Sequence, residues 1–208
     1  MRCGLRLGLA APACGSCLRE PPPFERTVCV ADYGFPWHRL IADFKFNGRV
    51  ELAGLLAQRL HAALVQAALV QAGLIQAALI QAGEASATLV LPVPLSARRL
   101  AQRGYNQAWE LARRVAALTR LPARADLLLR PWETAHQADL NRSARQSNLR
   151  AAFMVDPRHR AALQGQRVAL VDDVMTSGAT AREASAALLR AGAAAVEVWV
   201  IARTPERE

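Results

Sequence analysis

The sequence has no long apolar run, no leader-like start and almost no lysine. No stretch reaches the about 18 consecutive apolar residues that a spanning helix needs, so no membrane span is expected. Met1-Arg-Cys-Gly-Leu5 lacks the long apolar core of a signal peptide, and a cytoplasmic protein follows. Lysine occurs once, at Lys45, so the positive charge is carried almost wholly by arginine. Aromatic residues are 5% of the chain. Cysteine is confined to Cys3, Cys14, Cys17 and Cys29, and in a cytosolic chain these do not form a disulfide framework.

What is present suits one domain with a small appendage: 208 residues, 52% of them hydrophobic, enough for a large core. The formal net charge is +9 and the pI about 10.8. That charge reads in two ways, as polyanion binding by phosphate neutralisation or as a coding bias towards Arg and Ala. The arginines are spread along the chain and do not gather in one tail.

One stretch organises the rest, Arg167-Val-Ala-Leu-Val-Asp-Asp-Val-Met-Thr-Ser-Gly-Ala-Thr180. The apolar run Val168 to Val171 predicts a strand buried on both faces of a parallel sheet. Asp172 and Asp173 follow, then the small-residue loop Thr176 to Thr180, then a helix to about Arg190. A helix N-terminus presents unpaired N–H groups to a phosphate. Gly178 lets the backbone approach, and the hydroxyls of Thr176, Ser177 and Thr180 are further donors. The carboxylates accept hydrogen bonds from sugar hydroxyls or help to hold a divalent cation.

Residues 1–24 are rich in Cys, Gly and Pro and end at Pro21-Pro22-Pro23, which predicts a small metal-stapled module and a stiff linker ahead of a domain over 25–208. Cys14-Gly-Ser-Cys17 has the spacing of a zinc knuckle, and Cys3 supplies a third thiolate, with water or Cys29 as the fourth ligand; inside a predicted strand over 27–35, Cys29 reads better as a packed thiol. Pro36 opens a helix carrying Leu40, Ile41 and Phe44. A five-residue repeat runs through 61–85; its step of about 140° keeps no single helical face, so it reads as a lengthened helix without chemistry.

Further strands are expected at 88–94, 126–130, 151–155 and 195–202. Asn106 or Gln107 begins a helix carrying Trp109, Leu111, Ala112, Val115 and Leu118. Arg98, Arg99 and Arg103 follow the rigid turn Pro92-Val93-Pro94, where guanidinium forks suit phosphate oxygens. Residues 131–150 have the composition of a mobile active-site loop.

The Asp172-Asp173 stretch resembles the phosphoribosyl pyrophosphate (PRPP) motif of type I phosphoribosyltransferases. The resemblance narrows with Cys14-Gly-Ser-Cys17, Leu40-Ile-Ala-Asp-Phe-Lys-Phe46, Val93-Pro94-Leu95, Arg103-Gly-Tyr-Asn-Gln107, Gln137, Arg145-x-x-Asn148 and Phe153. Together these look like the ComF/GntX family, over nearly the whole chain except the repeat. It implies an α/β fold, a type I phosphoribosyltransferase-like parallel sheet flanked by helices, behind an N-terminal zinc finger. That finger usually has four cysteines; here only Met1 and Arg2 precede Cys3, so either the frame starts upstream or the finger is degenerate.

The resemblance also implies roles. Asp172 and Asp173 hold the ribose, Val174 and Thr176, Ser177, Gly178, Ala179 and Thr180 cradle the 5′-phosphate, and Pro94, Arg98, Arg99 and Arg103 face the pyrophosphate with Mg²⁺. Zn²⁺ falls to Cys3, Cys14 and Cys17. Two readings stay open. One is an enzyme that breaks the C1–pyrophosphate bond of PRPP. The other is a non-catalytic adaptor of DNA uptake in natural competence, which senses PRPP or binds single-stranded DNA beside a DNA-import helicase. In that second reading Arg142, Arg145 and Arg150, with Arg98, Arg99 and Arg103, belong to the DNA surface, and Trp132 stacks on a base or packs in the core.

Overall fold

The computed structural model describes residues 2–6, 13–76, 87–131 and 152–205. The strands are β1 (Arg26–Asp32), β2 (Leu89–Pro92), β3 (Leu128–Leu129), β4 (Met154–Val155), β5 (Arg167–Met175) and β6 (Ala195–Arg203). The helices are α1 (Gly15–Arg19), α2 (Trp37–Phe46), α3 (Leu52–Gln76), α4 (Ala97–Arg103), α5 (Gln107–Thr119) and α6 (Ala179–Arg190). Four strands form one sheet in the order β1-β6-β5-β2, and every pairing in it is parallel.

The apolar runs decide this arrangement. Successive side chains of a strand point to opposite faces, so a strand that is apolar throughout must be covered on both. In β5, Val168 and Leu170 join a core with Ala184 and Leu188 of α6, while Ala169 and Val171 join a second core with residues of α2, α3 and α5. In β6, Val196, Val198 and Val200 go to the first core, Trp199 and Ile201 to the second. Each fully buried Val, Leu or Ile among them contributes about 1.5–3 kcal/mol of transfer free energy.

Three strand expectations change in detail. The strand expected to stop at Val171 continues to Met175, so the acid pair lies within the strand and not in the following loop. The strands expected at 126–130 and 151–155 shrink to Leu128–Leu129 and Met154–Val155, which pair with each other antiparallel outside the main sheet. Local hydrogen bonding competes there, since Arg124 ties down Asp126 and Asp156 caps the following 3₁₀ turn at Arg158.

The α5 start is as expected: Asn106 accepts from the backbone N–H groups of Ala108 and Trp109, and its Nδ2 donates to the Val93 carbonyl. Leu111, Ala112 and Val115 are buried, but Leu118 is 43% exposed, because the apolar stripe leaves the core where the helix ends. In α3, Ala53, Leu56, Ala57 and Leu60 are fully buried, whereas Val65, Leu69 and Val70 face outward. The five-residue step carries the repeat off the core. Leu52–Val70 is, by length and composition alone, apolar enough to cross a membrane, at a mean hydropathy of 1.3. Polar Gln58, Arg59, His61 and Gln66 interrupt this segment, and the first turns of the helix belong to the core.

The N-terminal segment packs on the sheet. Leu5, Cys14 and Cys17 form a small buried cluster, and Phe24 enters the first core. The Thr27 hydroxyl donates to the Arg2 carbonyl at 2.8 Å.

Candidate functional site

A cavity of about 390 Å³ opens at the carboxyl ends of β2 and β5, where ligands sit in open α/β sheets. The turn after β2 supplies Val93, Pro94 and Leu95; β5 and its loop supply Asp172, Asp173, Val174, Thr176 and Thr180; α4 supplies Arg99 and Arg103. Ile41 and Ala42 of α2 also line it, with Tyr33, Lys45, Phe46, Gln107 and Arg130, none of them expected there from the sequence.

The acid pair sets the electrostatics. Asp173 is 1% exposed. Its Oδ2 lies 2.7 Å from Lys45 Nζ, yet no donor meets that buried oxygen at hydrogen-bonding angles. The contact is a close but poorly directed ion pair, which leaves acceptor capacity on Oδ2. Asp172 Oδ1 accepts the backbone N–H of Asp173 at 2.8 Å. Desolvation, then the adjacent Asp173 charge, push the Asp172 carboxyl well above the usual carboxylate range, and Lys45 works the other way.

The cations come from two helices, α2 and α4, and from Arg130 just after β3. Arg103 lies over the Phe46 ring at 5.3 Å from its centroid and donates to Gln107 Oε1. Its burial lowers its pKa, although both aspartates oppose that effect. The Tyr105 hydroxyl donates to the Phe44 carbonyl, and the two rings pack at 6.1 Å, so the end of α2 that carries Lys45 is pinned to the start of α5.

The loop after β5 turns on Gly178, at φ +79°, a left-handed conformation that favours glycine. It caps α6, whose first turn contains no acidic residue. The Ser177 hydroxyl accepts from Ala179 N at 3.3 Å.

The expected site residues divide. Asp172, Asp173, Val174, Thr176, Thr180, Pro94, Arg99 and Arg103 share the cavity wall. Ser177 and Gly178 line the other side of the loop, in a second hollow with the cysteines, and Thr176 lines both. Ala179 is the first residue of α6 and lines neither. Arg98 is on α4 but off the cavity wall. Trp132, Gln137, Arg142, Arg145, Asn148 and Arg150 lie outside the described residues. Lys45 carries a sequence signal of its own, being the chain's single lysine.

Cys3, Cys14 and Cys17 bring their Sγ atoms within 4.8 Å of one another, with Cys3 and Cys14 at 3.4 Å. Thiolates bound to one tetrahedral zinc are about 3.8 Å apart, as follows from Zn–S bonds of about 2.3 Å. The trio fits three corners of such a site. Cys29 is not in the cluster; its thiol donates to the Ala31 carbonyl at 3.0 Å, and burial pushes its pKa up to about 11. Burial also pushes the Cys17 thiol up to about 12. At Cys14 burial acts in the same sense, but hydrogen bonds from Cys17, Cys3 and Ser16 outweigh it and the net shift is downward.

Comparison with known proteins decides the family. The chain is 34% identical to the DNA utilization protein YhgH of Escherichia coli (strain K12) over 203 residues, 98% of this chain and 83% of that one. It is 36% identical to the protein of the same name from Salmonella typhi over equal shares. It is 33% identical to competence protein F of Haemophilus influenzae over 201 residues, 97% of this chain and 82% of that one. The chain belongs to the ComF/GntX family. No family model matches it.

Solved structures resemble it more loosely. A glutamine PRPP amidotransferase from B. subtilis, complexed with ADP and GMP, aligns at a TM-score of 0.41 and 19% identity, over 74% of this chain and 26% of that one. An adenine phosphoribosyltransferase from Leishmania donovani aligns at 0.33 and 20% identity, over 62% and 49%. The parallel sheet flanked by helices, expected for this family, is the architecture observed.

Proposed function

We propose that the cavity binds PRPP, as the resemblance of its motif implies. The observation that carries this reading is the buried Asp173 Oδ2, short of a directed donor and beside a helix N-terminus and three arginines in one cavity. A ribose phosphate needs that combination: acceptors for vicinal hydroxyls and N–H donors for a phosphate. Asp172 and Asp173 hold the ribose hydroxyls, Thr176 to Thr180 with the start of α6 take the 5′-phosphate, and Arg99 and Arg103 face the pyrophosphate.

In the enzyme reading, the C1–pyrophosphate bond breaks with positive charge at C1 and negative charge on the leaving group. Arg99 and Arg103 stabilise that leaving charge, and the carboxylates hold the ribose in place. The carboxylates of Asp172 and Asp173 would help to hold Mg²⁺, which would neutralise charge on the pyrophosphate. Zn²⁺ fits Cys3, Cys14 and Cys17, where it acts as a structural staple.

The names of the relatives, DNA utilization protein and competence protein, favour a second reading, a cytoplasmic adaptor that senses PRPP or binds single-stranded DNA beside an import helicase. Titration calorimetry with Mg²⁺ and PRPP tests the site. Wild type binds, and Asp172→Asn with Asp173→Asn weakens binding by about 1–3 kcal/mol for each hydrogen bond to a ribose hydroxyl that the change removes. Unchanged affinity in the double variant overturns the assignment. Pyrophosphate release with a panel of acceptors then separates enzyme from adaptor.

A further inference from the structure

An outer hollow of about 420 Å³, distinct from the one beside the cysteines, adjoins the inner cavity, and its lining includes Lys45, Phe46, Arg99, Gln102, Arg103 and Tyr105. Three cations from two helices converge there, and among the described residues no carboxylate lines it. Phe46 is 72% exposed, an uncommon state for so large an apolar ring, and the Arg103 guanidinium stacks over it. An exposed ring among cations recognises a ligand that is flat and aromatic at one end and anionic at the other. Lys45, Phe46, Arg99 and Arg103 line both hollows, so whatever binds here lies against the inner cavity.

We infer that this outer hollow is a binding site for a nucleotide unit. The base stacks on Phe46 beside Arg103, and the phosphate meets Arg99 and Lys45. Lys45 cannot serve a phosphate and the buried Asp173 equally well, so occupancy of the outer site draws the ammonium away from the acid pair. The two cavities are thereby coupled, and the coupling is reciprocal. The site stands on its own residues and does not depend on PRPP being the inner ligand.

The test uses the full chain with three probes: thymidine 5′-monophosphate, a single-stranded oligothymidylate of about 15 nucleotides, and inorganic phosphate. Wild type binds the monophosphate more tightly than phosphate alone. Phe46→Ala lowers nucleotide affinity roughly five- to 150-fold, the range for removal of one base–aromatic stack, and Phe46→Trp retains it. Gln102→Glu places a carboxylate in the outer hollow only; it weakens nucleotide binding far more than PRPP binding. An oligonucleotide that binds far more tightly than the monophosphate, with the same dependence on Phe46, identifies a strand as the source. Equal affinities identify a free nucleotide. Nucleotide binding indifferent to both Phe46→Ala and Gln102→Glu overturns the inference, as does monophosphate binding no tighter than phosphate. Failure of PRPP to bind wild type would sink the inner reading and leave this one standing.

Discussion

The ammonium of Lys45 stands 2.7 Å from Asp173 Oδ2, and joins an α2 helix to a strand 128 positions further along the sequence. Asp173 keeps 2% of its side-chain surface and Lys45 keeps 22%, so the carboxylate is the partner that cannot return to water. Removing one member of a fully buried pair costs about 3–5 kcal/mol. Lys45→Met is expected near the lower end, because the lysine side is partly solvated. Adding Asp173→Asn to it removes the stranded charge and recovers most of the loss. Urea unfolding of the two single variants and the double closes this cycle. A neutral Lys45→Met would mean that the pair contributes nothing.

Asp172 gives stability a pH dependence of known sign. Its folded pKa is raised by desolvation and by Asp173, so the folded protein keeps the proton to higher pH than the unfolded chain does. The contribution is fully present below the unfolded pKa, about 3.9, and is lost as pH rises through the raised folded value. Asp172→Asn removes the penalty. It is expected to be more stable than wild type at pH 7, by about 1.4 kcal/mol for each pKa unit by which the folded carboxyl exceeds the unfolded one, with no gain near pH 3. Thermal unfolding across this range checks it. A variant less stable at pH 7 than at pH 3, relative to wild type, contradicts the direction.

Much of this site was legible in the sequence because its parts are local. The Val168–Val171 run, the acid pair, the loop and the start of α6 are contiguous, and Asn106 announces the α5 cap through its own side chain. Asp-Asp-Val-Met does not look like a strand, and its pairing with β6 to Met175 is a tertiary effect. Lys45 reaches the site through tertiary packing of its helix, to which the Phe44–Tyr105 contact and the burial of Ile41 and Phe44 contribute. Arg98 could have been set apart by spacing alone. At about 100° per residue, Arg99 and Arg103 share one helix face and Arg98 does not. The strands β3 and β4 were read from their apolar residues, but their two-residue lengths and antiparallel pairing are tertiary outcomes.

The cysteine trio predicts metal content. Protein purified without chelator is expected to carry about one equivalent of zinc, lost in Cys17→Ser and kept in Cys29→Ser. Cys17 is buried in the cluster, whereas Cys29 is outside it. Elemental analysis of the three proteins decides. Zinc absent from wild type would make the trio a set of packed thiols, and zinc lost from Cys29→Ser would bring that thiol into the site.

Arg203 ties the cysteine module to the proposed phosphate loop. It is 5% exposed, and its Nε donates to the Cys3 carbonyl at 3.0 Å. Its Nη1 donates to the carbonyls of Met175, Thr176 and Thr204. One guanidinium thus satisfies acceptors from the N-terminal segment, the end of β5 and the chain beyond β6. A buried acceptor left unpaired costs about 1–3 kcal/mol, so Arg203→Met is expected to destabilise by at least that amount. Without the hydrogen bond to Thr176 the start of the loop is freed, and without the one to Cys3 the thiol module is freed. The variant should therefore bind PRPP more weakly, and its Cys3 and Cys14 thiols should react faster with a disulfide reagent. Arg203→Lys keeps the charge without the fork and should restore only part of both. The coupling should also run backwards, with PRPP slowing thiol modification in wild type and not in Arg203→Met. A variant that loses stability while ligand affinity and thiol rates stay at wild-type values would reduce Arg203 to a staple for the end of β6, with no link between the two sites.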